Sequence, residues 1–284
     1  MLQCVETIAE VRAQVKAWRK EGLTVGLVPT MGYLHAGHQS LIERAARDND
    51  RVVVSDFVNP TQFGPQEDLQ SYPRDLARDS VVCEKAGASL LFHPAVEEMY
   101  APDCTTSVQM RGITEALCGK SRPVHFGGVC TVVAKLFNIV RPDRAYFGQK
   151  DAQQLLVIRR MVRDLNFDIQ IIGCPIIREA DGLAMSSRNT YLSPAERKAA
   201  PVLHRALEAG RQLAESGEKS AERIRGAIRG ILAEEPLAEP EYVEVVDMQT
   251  VQPVETLEKP VLCAIAVRIG KTRLIDNFFY PPEV

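Results

Sequence analysis

The chain has no Cys-x-x-Cys pair: its seven cysteines stand apart at positions 4, 83, 104, 118, 130, 174 and 263. An odd, unclustered set argues against a disulfide framework or a zinc site and predicts reduced thiols in a cytoplasm. Cys130 and Cys263 lie in apolar runs and read as small core residues. No hydrophobic stretch approaches the length of a membrane span. The opening Met-Leu-Gln-Cys-Val-Glu-Thr also lacks the basic and apolar regions of an export signal. Excess positive charge is missing too. With 34 Lys and Arg against 37 Asp and Glu, the net charge is −3 and the basic residues are dispersed, so there is no electrostatic footprint for nucleic acid. Neither a membrane nor a nucleic-acid partner is expected. Repeats and low-complexity segments are absent, and histidine is scarce, at five residues.

Two of those five histidines stand three apart in Thr30-Met31-Gly32-Tyr33-Leu34-His35-Ala36-Gly37-His38. An apolar run, Leu23 to Val28, precedes them and reads as a strand closed by Pro29. A helix beginning near Gly37 puts Leu41, Ile42 and Ala45 on one face. A strand, a glycine turn and a helix start should gather free backbone N–H groups and the positive end of the helix dipole, which suits a phosphate. His35 and His38 could then donate to phosphate oxygens as charge builds there. Read as a metal pair, two histidines alone hold little, since no Cys, His or Asp cluster stands nearby. Two unrelated surface histidines are the plainer alternative, against which their concentration at one junction counts.

At 284 residues, with 45% hydrophobic and 25% charged, the chain is long enough for two domains with real cores. Its first two-thirds alternate strand-like and helix-like segments. Strands are expected at 51–58, 89–92, 145–147 and 168–172, and helices at 75–85 (ended by Gly87), 128–140 (stopped by Pro142) and 151–165. Such alternation predicts a parallel sheet that binds ligands beyond the carboxyl ends of its strands. Composition changes near residue 180. One long polar helix from Ser193 to about Ser216 and a second from Ser220 to Glu234 are expected, with Pro236 and Pro240 as breaks. Strands at 242–247, 261–269 and 272–279 follow, the last two joined at Gly270-Lys271. The predicted class is α/β: a Rossmann-like parallel-sheet domain over 1–182 and a smaller α+β domain over 183–284. Gly270-Lys271-Thr272 imitates the end of a P-loop, but it lies between two strands and reads as a hairpin turn. Arg159, Arg160 and Arg163 form a solvated helix face.

Polar residues collect in the loops. Asn59 and Gln62, in Asn59-Pro60-Thr61-Gln62-Phe63-Gly64-Pro65, offer amides to a small polar substrate. A plain Pro/Gly turn explains that segment equally well. Gly148-Gln149-Lys150-Asp151 again suits phosphate, with Gln154 one turn into the next helix. Alone, Lys150-Asp151 is more often a charge pair at a helix start. Ala184-Met185-Ser186-Ser187-Arg188-Asn189 supplies further donors, or is a capped loop between domains. Gly64 to Arg74, with Tyr72 and Arg74 as contacts, reads as a cover that keeps water out.

In order, these segments resemble the pantothenate synthetase (pantoate–β-alanine ligase) family of the HIGH-type nucleotidyltransferase superfamily. The likeness runs through Pro29 to His38, Phe57 to Phe63, Tyr72-Pro73-Arg74, Ser121-Arg122-Pro123, His125-Phe126, Phe147 to Gln154, Asp181 to Asn189 and, more loosely, Arg273 to Asn277. It implies a cytoplasmic homodimer with a Rossmann-like ATP domain and a small lid domain. It implies that ATP and Mg²⁺ activate (R)-pantoate as an adenylate, which β-alanine then captures. Carried over by position, Met31, Gly32, Tyr33, Leu34, His35, Ala36, Gly37 and His38 line the ATP site, with His38 as the proton donor. Gly148, Gln149, Lys150, Asp151, Ile177, Met185, Ser186, Ser187 and Arg188 also meet the nucleotide. Catalysis falls to His35, His38, Lys150 and Arg188. Gln62 and Gln154 hold pantoate, and Asn59, Tyr72, Arg122 and His125 border the substrate. Thr61, Val124, Asp56 and Gln149 depart from the family's usual residues. No protein metal ligand is assigned, so Mg²⁺ is expected to arrive on the phosphates. The rivals are another nucleotidyltransferase with the same histidine pair, and a non-catalytic nucleotide-binding regulator.

Overall fold

The computed structural model describes residues 2–282. They divide into two compact units. The first takes the chain from its start to Met110, with Arg122–Gln149 and Val157–Pro175. The second takes Arg111–Ser121, Lys150–Leu156 and the chain from Ile176 onward.

The first unit holds six strands: β1 (Gln3–Val5), β2 (Val25–Thr30), β3 (Arg51–Asp56), β4 (Leu90–Phe92), β5 (Arg144–Gly148) and β6 (Gln170–Cys174). All pair in parallel, in the order β1-β4-β3-β2-β5-β6. Helices α1 (Ile8–Lys20), α2 (Ala36–Asp48), α3 (Leu76–Ala86), α4 (Val96–Met99), α5 (Cys118–Ser121), α6 (His125–Val140) and α7 (Ala152–Asp164) run between them in sequence. Of these, α5 belongs to the second unit, and the division falls within α7. This is a Rossmann-like sheet. Val52, Val53 and Val54 are all buried, as a strand covered on both faces requires. On one face Leu41, Ile42 and Ala45 of α2 pack with Val28, Val54, Leu91 and Cys83.

The sheet departs from the sequence expectation in particulars. Pro29 lies inside β2 rather than ending it. The β5 ladder touches β2 only at Gly26 and Leu27, so Pro29 removes no donor from that side. Strand β1 and helix α1 were not foreseen. Yet Thr7 and Glu10 form a capping box that opens α1. Helix α3 starts after its cap Asp75 and ends at Gly87, whose φ of 92° closes it in the left-handed conformation.

The second unit carries an antiparallel sheet of β7 (Ala238–Asp247), β8 (Val261–Ile269) and β9 (Thr272–Tyr280), with Gly270 and Lys271 as the hairpin turn. Against it pack α9 (Val202–Glu215) and α10 (Ala221–Leu232) through Leu203, Leu207, Ile224 and Ile228, which meet Val243, Val245, Ile265 and Val267. The long helix expected from Ser193 is two: α8 (Pro194–Ala199) and α9 are separated at Pro201, which lacks the N–H an unbroken helix needs. Pro240 does not break the chain; it sits in β7 at a register shift, where a proline is tolerated. Cys83, Cys118, Cys130, Cys174 and Cys263 are buried, while Cys4 and Cys104 are exposed.

Candidate active site

The strand order reverses beside β2. From β2 the chain proceeds to β3 and β4 on one side, then returns to lay β5 on the other. A parallel sheet opens a crevice at the carboxyl ends of its strands at such a point. The histidine turn leaves the carboxyl end of β2, and Gly148 and Gln149 leave that of β5.

The histidine turn is not the cradle of free N–H groups that its sequence suggests. Gly32 N donates to Thr30 Oγ1 (3.2 Å), Tyr33 N and Leu34 N to the Asp79 carboxylate (2.6 and 2.7 Å), His35 N to His38 Nδ1 (3.3 Å) and Gly37 N to His35 Nδ1 (3.1 Å). The physical reason is burial. Leu34 is wholly inaccessible, and a buried N–H without a partner would be strongly destabilising. With those five N–H groups engaged, an anion here would meet chiefly the helix dipole and the imidazoles. His35 is the N-cap of α2 and His38 its third residue, so the two rings close a reciprocal capping box, with centroids 4.1 Å apart. Because each Nδ1 accepts a hydrogen bond, each neutral ring carries its proton on Nε2. That fixes Nε2–H as the donor of both histidines.

Beside β3, residues 60–62 form a single 3₁₀ turn capped by Asn59. Asn59 is nearly inaccessible and fully engaged. Its Nδ2 donates to Gln62 Oε1 (3.1 Å) and Gly128 O (3.2 Å), and its Oδ1 accepts from Thr61 Oγ1 (2.9 Å) and Tyr100 Oη (2.8 Å). Gln62 Nε2 contacts Met31 Sδ at 2.8 Å. Arg122 and His125 reach the same turn: His125 Nδ1 lies 3.0 Å from Gln62 O, and Arg122 Nη2 lies 3.5 Å from it. Arg122 also forms a two-pronged ion pair with Glu67 (2.9 and 2.6 Å). Burial works against the Glu67 charge, yet the Arg122 hydrogen bond and charge hold its carboxyl below the usual range. The structure thus places Asn59, Arg122 and His125 on the Gln62 turn as its supports. Tyr72 is buried with its ring against Phe63, 6.0 Å between centroids, and Arg74 donates to Tyr72 O and Leu69 O. Sequence reasoning missed Tyr100 and Gly128. A Cβ on Gly128 would strike the Thr61 carbonyl and the Gln62 nitrogen, so only glycine lets α6 approach that turn.

In the second unit, Lys150 Nζ lies 3.7 Å from Asp151 Oδ2, and Lys150 O accepts from Asn277 Nδ2 (2.8 Å). The neighbouring glutamines have separate roles. Gln153 is buried, accepting from Cys118 N and donating to Ile113 O and Ala116 O, while Gln154 is half-buried on the first turn of α7. Ile177 O accepts from Met185 N (3.0 Å). Ser186 then caps a 3₁₀ turn over Ser187–Tyr191 by accepting from Arg188 N (3.3 Å). Asn189 Nδ2 ties this turn to Glu179 (2.8 Å) and Ala184 O (3.1 Å). Behind it Arg197 bridges Glu179 and Asp181, at 2.6 Å each.

Comparison with known proteins agrees with this architecture. The model of a family described as pantoate-beta-alanine ligase matches residues 3–279. Pantothenate synthetase of Clostridium acetobutylicum is 61% identical over 277 residues, covering 98% of this chain and 99% of the relative. That of Enterococcus faecalis is 60% identical over 275 residues, covering 97% and 98%. Among solved structures, pantothenate synthetase from Thermus thermophilus matches with a TM-score of 0.91 at 50% identity, covering 97% of this chain and 98% of that one. Pantoate-beta-alanine ligase from Francisella tularensis, complexed with beta-gamma ATP and beta-alanine, matches with a TM-score of 0.81 at 32% identity, covering 100% and 99%. With a Rossmann-like sheet, a histidine pair at its switch point and identities of this size, the chain belongs to the pantoate–β-alanine ligase family.

Proposed function

We propose that this chain uses ATP to condense (R)-pantoate with β-alanine, forming a pantoyl adenylate and releasing pyrophosphate, then AMP and pantothenate. The observation that carries the reading is the histidine pair after the carboxyl end of β2, at the point where the strand order reverses, with both Nδ1 atoms accepting backbone N–H groups. The Francisella tularensis relative, solved with beta-gamma ATP and beta-alanine, supports it.

In the first step the pantoate carboxylate attacks the α-phosphorus, and the protein contributes position and charge. His35 and His38 donate to the phosphate oxygens, and Lys150 with Ser186, Ser187 and Arg188 receives the departing pyrophosphate. Met31 to His38, Gly148 to Asp151, Ile177 and Met185 to Arg188 form the nucleotide site. Gln62 and Gln154 hold pantoate. Asn59, Arg122 and His125 support Gln62 in the geometry found, and Tyr72 packs in the segment that shields the adenylate from water. In the second step the neutral amine of β-alanine attacks the activated carbonyl and AMP departs.

Residues 1–182 bind ATP and pantoate in this reading, and 183–284 act as a lid. The active species is a homodimer of the cytoplasm; no helix among the described residues is long and apolar enough to cross a membrane. Bound to the triphosphate, Mg²⁺ would supply charge neutralisation there. Both oxygens of Asp79 already accept backbone N–H groups, and in this reading the ion would arrive on the phosphates.

The test is ATP–pyrophosphate exchange with and without pantoate, with mass measurement of the acyl adenylate. Exchange that requires pantoate, followed by equal yields of AMP and pantothenate once β-alanine is added, supports the reading. Exchange indifferent to pantoate refutes it.

A further inference from the structure

The turn that leads into His35 is held from beneath by a residue more than forty positions away. Asp79, in the first turn of α3, is 0% exposed. Its Oδ2 accepts the Tyr33 N–H and its Oδ1 the Leu34 N–H, at 2.6 and 2.7 Å. Gly32 and Tyr33 both have positive φ, 80° and 51°. Successive N–H groups in such a turn converge to form an anion-binding concavity. Its occupant is the protein's own carboxylate. The preceding residue, Arg78, lays its guanidinium over the Tyr33 ring, 4.7 Å from the centroid. Asp56, at the end of β3, closes the other side: a Cβ on Gly32 would strike Asp56 Oδ1 and come within 3.2 Å of Asp79 Oδ2.

A turn of this shape could be closed without charge. Burying a carboxylate opposes folding, and here a second buried carboxylate, Asp56, stands close by. Burial, with Asp56 adding to it, pushes the Asp79 carboxyl up to about 6 despite the two backbone donors. A destabilising arrangement kept beside the histidine pair points to a functional requirement. From Leu34 there is no slack. The next residue, His35, is the cap of α2, and its own N–H and ring are both engaged within that cap.

We propose that Asp79 is a positioning residue for the adenylation step: by gripping Tyr33 and Leu34 it sets where the imidazole donors meet the nucleotide phosphates. The inference rests on the functional reading above. Asp79→Asn tests it, because one acceptor oxygen becomes an NH₂ facing a backbone N–H. Two half-reactions are measured apart: pantoate-dependent ATP–pyrophosphate exchange, and conversion of supplied pantoyl adenylate with β-alanine at saturation. The expected result is a KM for ATP raised at least about tenfold in exchange, the worth of a hydrogen bond to a charged group. Turnover of the supplied adenylate should stay within about threefold of wild type. Equal loss in both halves, or exchange unchanged in the folded variant, overturns the inference. If Asp79→Asn does not fold, as judged by circular dichroism, Asp79→Glu, which keeps the charge but shifts both oxygens by a methylene, is put through the same comparison. Absence of exchange in the wild-type protein would refute the functional reading as well, so the two failures are distinguishable.

Discussion

The Met31–His38 turn and the Met185–Asn189 turn are each closed by a side chain at the start of their own helix, His35 in one and Ser186 in the other, and there the likeness ends. The first is fastened from within: buried Thr30 and Asp79 and the two half-buried imidazoles take five of its N–H groups. The second relies on Asn189 and, behind it, on an Arg197 ion-pair network whose members are roughly 27–42% exposed. It also leaves the buried Asn189 Oδ1 without a hydrogen-bond partner among the described residues. The two buried bonds to the Asp79 carboxylate are each worth more than about 1 kcal/mol, whereas exposed ion pairs contribute about 0–1 kcal/mol. The difference teaches that the histidine turn is set by the fold before any substrate arrives. The serine turn is held by weaker and partly incomplete fastenings.

Removing a candidate phosphate donor, one from the histidine turn and one from the Gly148–Asp151 segment that would work beside the serine turn, comes first in expected size. His38→Ala and Lys150→Ala should each slow adenylate formation by about 10²–10³ while leaving the fold intact, as loss of one preorganised donor does elsewhere. Single-turnover measurement at saturating substrate checks this, and near-wild-type rates would remove either residue from its role.

The buried side of the comparison is sharpened by pH. The Asp79 carboxyl rises to about 6, first through burial. A carboxyl whose folded value lies above its unfolded value of about 4 has its full favourable contribution below pH 4 and loses it as pH rises through 6. That loss is at most about 3 kcal/mol. Asp79→Asn lacks it, so variant stability relative to wild type should climb between pH 4 and pH 7 in denaturant titrations, even as exchange activity at pH 7 falls. A flat difference would contradict the assignment.

The Asn59–Gln62 turn belongs with the histidine turn, since Asn59 and Gln62 are buried and hydrogen-bonded to each other. Gly128→Ala should cost about 1–3 kcal/mol by overpacking. It should also raise the KM for pantoate more than that for ATP, because the displaced atoms belong to the Gln62 turn. Smallest is the exposed network. Arg197→Ala should change unfolding free energy by no more than about 1 kcal/mol, with a correspondingly small change in Tm. A larger loss would mean that the serine turn is fixed as firmly as the histidine turn.

The alternation of strands and helices was legible because apolar runs and caps are local. Asp75 and Gly87 bracket α3 within a residue of the expected limits, and Gly270-Lys271 turned out to be a hairpin. Strand β1, at three residues, is too short for a periodic signal, although the Thr7–Glu10 box after it was there to be read. Pro29 misled because a proline in a central strand is tolerated only where the neighbouring ladder has stopped, and that is a property of β5. The histidine pair and the Gln62 turn could be picked out as polar groups after strands. Asp79, Tyr100 and Gly128 could not, since each acts through a partner about 40 to 70 residues away.

The distribution of thiols gives the experimenter a handle. Burial pushes Cys83 and Cys130 up to about 12 and Cys174 up to about 11, far from the thiolate form that alkylating reagents attack, and Cys263 is raised further still. Cys118 is buried too, so Cys4 and Cys104 are the exposed thiols among the described residues, and burial of the Cys4 sulfur with the nearby Glu6 raises its pKa and slows it. A maleimide dye used sparingly under native conditions should therefore settle on Cys104. That would give a singly labelled enzyme for fluorescence studies with no residue exchanged.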